Sequence, residues 1–422
     1  MGAAAVLRDG NVLRWLGAYA ASLIGDGIYF LALGWAAAQT AGPGEVGLVM
    51  AAGAVPRALL MLGGGVVADR FGPRLVVLSS DAVRCAVILA LAAVVALTSP
   101  GLWLLVVVAL VFGLVDALFM PAVGALPPRI AEPGHLVRVQ GLRSLAERVG
   151  HTAGPPAAGL AMGLGGPATA FAVAAALFAA SLLLLLTVRI SPLPGAGAGA
   201  PGDAARDARA GARTRGSGSG AWQQLRSGLA YIRRHGLIGP LVLSGALSQL
   251  GTSAPLTLGL ILLAGERGWG AGGVGWVVGS LGAGAAASAL LLTLIPRFPR
   301  AGAWQNATLI TGSAGIGALA LAPTLTSAVA LALVTGLVCG ICGGLAVALI
   351  QTATDPSYLG RVSSVMAFTA VGLAPLAYPV FGLAAELWGI TPVFLAGGAL
   401  SMAGAAVGTW APAVRRAELS LT

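Results

Sequence analysis

GVVADRFGPR, residues Gly65–Arg74, is a short charged break between two apolar runs, 46–68 and 75–98. Gly72 permits a sharp bend, Asp69 can pair with an arginine or meet a helix N-terminus, and Arg70 and Arg74 mark a membrane face. Working outward, further apolar runs fall at 13–38, 101–125, 142–164, 167–188, 237–264, 272–295, 302–322, 326–350, 362–386 and 391–411. Each is close to the roughly 20 residues that a bilayer-crossing helix needs. Across 422 residues, 57% are hydrophobic and 9% charged, with a mean hydropathy of +0.91. Soluble domains carry about a quarter of their residues as charges, so a water-soluble fold is excluded. The spacing predicts an all-α integral membrane protein of twelve transmembrane helices, in which many of the 64 glycines serve close helix contact. The first run is too long for a signal peptide and is expected to stay as a span.

The net charge of +10 is explained by position. All 24 basic residues are arginine, and with the N-terminus inside, those in the connections fall on the inner side except Arg267. Arg57, Arg84 and Arg148 lie within spans. This bias predicts cytoplasmic termini and an even number of spans, with the lipid bilayer and not nucleic acid as the partner of the charge. Ile190–Gly220 is rich in Gly, Ala, Pro, Ser and Arg and cannot form a packed core. It is expected to be a cytoplasmic linker between a bundle at 1–189 and another at 236–422. The stretch 221–235, AWQQLRSGLAYIRRH, sets Trp222, Leu225, Leu229 and Ile232 against Arg226, Arg233 and Arg234, as an interfacial amphipathic helix would.

At an offset of 223, Leu136, Arg138-Val139, Pro156, Gly159, Gly166 and Phe171 meet Leu359, Arg361-Val362, Pro379, Gly382, Gly389 and Phe394. The twelve spans therefore read as two six-helix pseudo-symmetric halves of like orientation, a plan in which substrate sits between them near the midplane. Cys85, Cys339 and Cys342 lie inside apolar runs and imply no disulfides, and Cys339 with Cys342 reads as helix packing.

Two motifs carry a resemblance. Gly65, Asp69, Arg70, Gly72 and Arg74 resemble the GxxxD[RK]xG[RK][RK] signature of the major facilitator superfamily, with Pro73 at one basic position. Gly141, Gly150, Gly154-Pro155 and Gly159 are similar to the GxxxxxxxxGxxxGPxxGG element of its antiporters, with Ala158 replacing a glycine. The fourth span lacks the arginine of the family's RxxQG element, since Ala109 and Phe112 precede Gly113. The whole chain is similar to the macrolide-efflux and enterobactin-exporter branch. The resemblance implies a monomeric, multi-pass transporter of the bacterial plasma membrane. It would export an amphipathic small molecule in exchange for protons, with no cofactor beyond the proton gradient. A proton-linked importer and a non-transporting receptor remain open; a membrane-embedded enzyme does not, because His135, His151 and His235 are dispersed.

Ionisable groups inside a membrane are costly and usually functional. Asp26, Arg57, Arg84, Asp116 and His151 lie about 10 to 14 residues from the inner ends of their spans, roughly 15 to 20 Å deep. Glu147 lies one to two turns nearer the inner face. In the resembled fold the first and fourth spans line the cavity, so Asp26 and Asp116 would face substrate, with Asp26 the first candidate for the proton. A static ion-pair network is the structural alternative. The second half carries almost no charge in its spans, with Gln249 at the position related to Asp26. Its cavity surface is expected to be mainly apolar.

Overall fold

In a computed structural model, the described residues are 9–98, 101–131, 133–189, 218–295 and 297–420. Most of the expected linker, 190–217, lies outside them. The first helices are α1 (Gly10–Thr40), α2 (Pro43–Phe71), α3 (Pro73–Leu97) and α4 (Leu102–Gly124), followed by the long α5 (Leu136–Thr187). After the linker come α6 (Gly218–Arg234), α7 (Ile238–Glu266) and α8 (Gly270–Leu294). The chain ends with α9 (Ala301–Leu319), α10 (Leu325–Ala353), α11 (Leu359–Trp388) and α12 (Ile390–Trp410). Helices are the outcome because lipid offers no partner for backbone N–H and C=O groups, which must be satisfied within the segment.

Among the described residues, nine helices are long and apolar enough to cross a membrane. One of them is α5, whose 52 residues would span about 78 Å if straight, well over twice a hydrocarbon core of about 30 Å. It breaks at Gly165 and Gly166, the latter at φ +71°, with Pro167 following, and so crosses twice. The remaining spans are α2, 29 residues long, and α9, whose hydropathy is lowered by Gln305 and Asn306. Twelve crossings result.

The turn between α2 and α3 has a local cause. Gly72 ends α2 and begins α3 at φ +85°, a conformation that favours glycine. Pro73 is the first residue of α3, where its missing N–H is lost at no cost. The departure from the resembled signature is thus a helix start. The turn is tied down by Arg74, whose Nη2 donates to the Leu186 carbonyl at 3.3 Å.

Even crossing numbers are visible in what meets at one face. Asn11 and Arg189 exchange two hydrogen bonds of 2.7 Å, joining the first and sixth crossings at the arginine-rich face. In the second half a two-residue antiparallel ladder pairs β1 (Arg297–Phe298) with β2 (Leu419–Ser420). Tyr231 of α6 stacks on Tyr358 at 4.3 Å, and Ile232 is buried beside Ile238 and Leu241. The amphipathic helix is therefore docked on the second bundle. On the opposite face the lone Arg267 donates to the carbonyls of Ala320 and Ala322 at 2.8 Å each, clamping the α9–α10 turn.

The halves touch through glycines. A Cβ on Gly159 of α5 would stand 3.1 Å from the Gly275 Cα of α8. Its repeat mate Gly382 of α11 is 3.2 Å from the Cα of both Gly44 and Gly47 of α2 on the same measure. Both contacts lie on the far side of the bundle from the arginines and close it there. Toward the arginine face, the repeat mates Leu145 and Phe368 are 56% and 50% exposed.

Candidate functional site

Five ionisable side chains from four helices converge inside the first half. Arg84 of α3 is wholly buried, although a lone guanidinium at that depth is costly. Its Nη1 donates to Asp26 Oδ1 of α1 at 3.0 Å, its Nη2 to Asp81 one turn back on α3, and Asp116 of α4 is 3.8 Å away. The guanidinium carbon sits 3.8 Å from the centroid of the Phe119 ring and 4.9 Å from that of Phe178, a desolvated cation–π pocket. Asp81 is further held by the hydroxyls of Ser22, at 3.5 Å, and Ser181, at 2.5 Å. Arg57 of α2 pairs with Asp116 through Nε at 3.1 Å and lies 5.9 Å from the Phe30 ring.

Three carboxylates thus share two guanidiniums. With every group ionised, the cluster carries one surplus negative charge in a low-dielectric bundle, and one bound cation or proton neutralises it. The carboxylates are unequally served. Asp81 takes three donors and Asp116 is flanked by both arginines, whereas Asp26 has the single bond to Arg84. Asp26 is also the most open of the three, with 13% of its side chain exposed.

A cavity of about 500 Å³ lies between the halves, within the range of small-molecule sites. Asp26, Arg57, Asp116 and His151 line it from the first half, with Phe30 and Met50. Arg84 and Glu147 are not among its lining residues. Arg84 stands behind the wall, and Glu147 accepts from the Tyr19 hydroxyl at 3.3 Å nearer the arginine face. From the second half come Gln249, Thr252, Ser253 and Thr257 of α7 and Tyr378 of α11. This corrects the expectation of a mainly apolar second wall: it is uncharged but rich in hydroxyl and amide groups. Hydropathy could not reveal it, because scattered Ser, Thr and Gln hardly change the mean of a span.

Asp81 is the residue that sequence reasoning passed over. Its signal was available, as an acid three residues before Arg84 on one helix face. Ser22, Ser181 and the phenylalanine rings had none, since each resembles an ordinary span residue.

The glycine motif of α5 is placed unevenly. A Cβ on Gly150 would meet the Leu23 Cβ at 2.6 Å, and one on Gly154 the Gly27 Cα at 3.0 Å, so both press α5 onto α1 beside Asp26. Gly159 faces the other half, the Pro155 carbonyl oxygen lies 2.8 Å from a Cβ built on Gly275, and Gly141 has no neighbour within 4 Å of such a Cβ. Of the turn motif, Arg70 lies 5.7 Å from the Phe71 ring, while the side chains of Gly65 and Asp69 are outside the described residues. Gly113 packs against the Gly53 backbone and Phe112 stacks on Tyr29 at 3.8 Å, so α4 brings no basic group here and Arg57 of α2 provides the cavity guanidinium.

Among solved structures, the nucleoside transporter NupG is similar at a TM-score of 0.73 and 14% identity, over 95% of this chain and 98% of that one. A bacterial homologue of the human lysosomal transporter Spinster, inward-facing and occupied, is similar at 0.69 and 13%, over 96% and 95%. At such identities the likeness is one of fold. No curated protein matches the sequence. The family model of the Major Facilitator Superfamily matches residues 15–379, a range that holds the charge cluster and all but the last part of the second bundle. Twelve crossings in two related halves, a cavity between them and that match together establish the chain as a membrane transporter of the Major Facilitator Superfamily.

Proposed function

We propose that the protein exports an amphipathic small molecule in exchange for protons, by rocking its two halves about the central cavity. The observation that carries this reading is the surplus carboxylate of the Asp26, Asp81, Asp116, Arg57 and Arg84 cluster, which opens on the cavity through Asp26. A proton on Asp26 makes the cluster neutral, and its release restores the charge when access changes side. Asp81 and Arg84 hold the site, while Asp116 and Arg57 complete its wall. His151 lines the same cavity, which supports it as a second proton-carrying group.

Export is supported by the resemblance of the α5 glycines to the antiporter element and by where they lie. Gly150 and Gly154 join α5 to the helix that bears Asp26, and Gly159 closes the far side. Protonation in the cavity and movement of the gate therefore share one helix. The arginine distribution supports a cytoplasmic arginine-rich face in a bacterial cell, the side from which an exporter would load. A monomer contains the whole cavity, and a macrolide-like compound, a siderophore or another secondary metabolite would fit the amphipathic class.

The test is transport by Asp26→Asn in proteoliposomes carrying an imposed pH gradient and an internal pH dye. Asp26 contributes one hydrogen bond to the cluster, so the variant should purify as folded protein. Loss of substrate-dependent proton movement is expected. Wild-type proton flux in the variant overturns the assignment, and accumulation of substrate with the proton gradient reverses the direction.

A further inference from the structure

We infer that α7 carries a neutral hydrogen-bonding subsite, and that the transported molecule pairs a protonated amine with a hydroxylated or amide-bearing body. This rests on the reading of the cavity as the transport site, but not on proton coupling or direction. Gln249, Thr252, Ser253, Leu256 and Thr257 all line the cavity, at the spacing of one helical face. The face is maintained through Pro255–Gly259, a single π-turn in which the Leu260 N–H bonds to the Pro255 carbonyl. Such turns occur mostly as isolated features and frequently at functional sites.

The polar atoms of this wall are not all satisfied within the protein. The Ser253 Oγ is buried and has no hydrogen-bond partner. Gln249 donates its amide nitrogen to the Ala370 carbonyl at 3.0 Å, which orients the side chain and leaves its amide oxygen to accept. Thr257 donates to the Ser253 carbonyl at 2.8 Å and also meets the Tyr378 hydroxyl across the cavity wall. A buried hydroxyl without a partner is costly, and a ligand group that pairs with it recovers that cost.

The duplication shows how the two walls diverged. At the offset of 223, Gln249, Thr252 and Ser253 are the mates of Asp26, Tyr29 and Phe30. One copy of the helix lines the cavity with an acid and the Phe30 ring, Tyr29 being buried in the core; the other lines it with an amide and two hydroxyls. A ligand bridging the cavity meets a surplus carboxylate on one side and uncharged donors and acceptors on the other. A permanently apolar cation would leave the α7 groups unpaired, a mismatch that polar sites penalise strongly. A neutral sugar would leave the carboxylate without its counter-charge.

The test is equilibrium binding to the full-length protein in lipid nanodiscs at fixed pH with no gradient. N-benzyl-N-methylglucamine is compared with N,N-dimethylbenzylamine, a similar amine without the hydroxyl groups. Wild type is expected to prefer the glucamine. Ser253→Ala and Gln249→Met together should weaken it about tenfold, the worth of two neutral hydrogen bonds, and leave the benzylamine unchanged. The milder Thr252→Val should narrow the preference in the same sense if the double variant does not fold. Equal affinities in wild type, binding of neither probe, or equal losses of both in the variants would overturn the subsite. Proton flux in Asp26→Asn is a separate readout, so failure of the coupling reading and failure of the subsite are distinguishable.

Discussion

Replacing Arg84 by methionine tests whether the midplane cluster is held together by charge. The substitution keeps a long apolar stem against Phe119 and Phe178 and removes the guanidinium from Asp26, Asp81 and Asp116 at once. Three carboxylates then face Arg57 alone, so the surplus negative charge rises from one to two. Removing one member of a buried ion pair costs about 3–5 kcal/mol, because the partner stays buried without its counter-charge. At roughly 2–4 °C per kcal/mol for a bundle the size of one half, the thermal midpoint should fall by about 10 °C. The assay is the fraction of monodisperse protein left after graded heating in detergent, followed by size-exclusion chromatography. Adding Asp81→Asn returns the surplus to one, and the double variant should regain a large part of the loss. The coupling between the two positions should be about 0.5–3 kcal/mol, the range for residues in one network. An Arg84→Met protein as stable as wild type, or no recovery in the double variant, refutes the charge count.

Two further outcomes follow from the packing. Gly159→Leu pushes a side chain into backbone 3.1 Å away and should hold the far side apart; a cysteine at Met50 in the cavity should then react faster with an impermeant maleimide added from that side, and an unchanged rate would mean that the seal lies elsewhere. Arg267→Gln removes the fork that binds the Ala320 and Ala322 carbonyls, so hydrogen exchange across 320–324 should quicken while the midplane helices keep their protection; uniform protection would show that the clamp is idle.

Particular residues show how far the sequence could be read. The turn at Gly72, the Gly165–Gly166 break, the docked helix ending at Arg234 and the relation of Asp26 to Gln249 were all legible. Each depends on something local: a glycine, a proline, a charge, or a repeated spacing. The in-span charges were legible as a set because so few exist. Their pairing was not. Arg84 stands behind the cavity groups, held by an Asp81 that had drawn no attention.

What the sequence determined by itself was the solvent of the chain, the number of crossings, the arginine face and the duplication, since each follows from where polar residues are forbidden or concentrated. What only the tertiary structure decided was the angle at which each helix is turned. In a soluble helix the apolar stripe marks the inner face, but in a membrane the lipid side and the packed side are equally apolar, so hydropathy does not distinguish them. The assignment of three carboxylates to two guanidiniums and the row of hydroxyls on α7 depend on that rotation. It is set by the close glycine contacts between helices far apart in the chain.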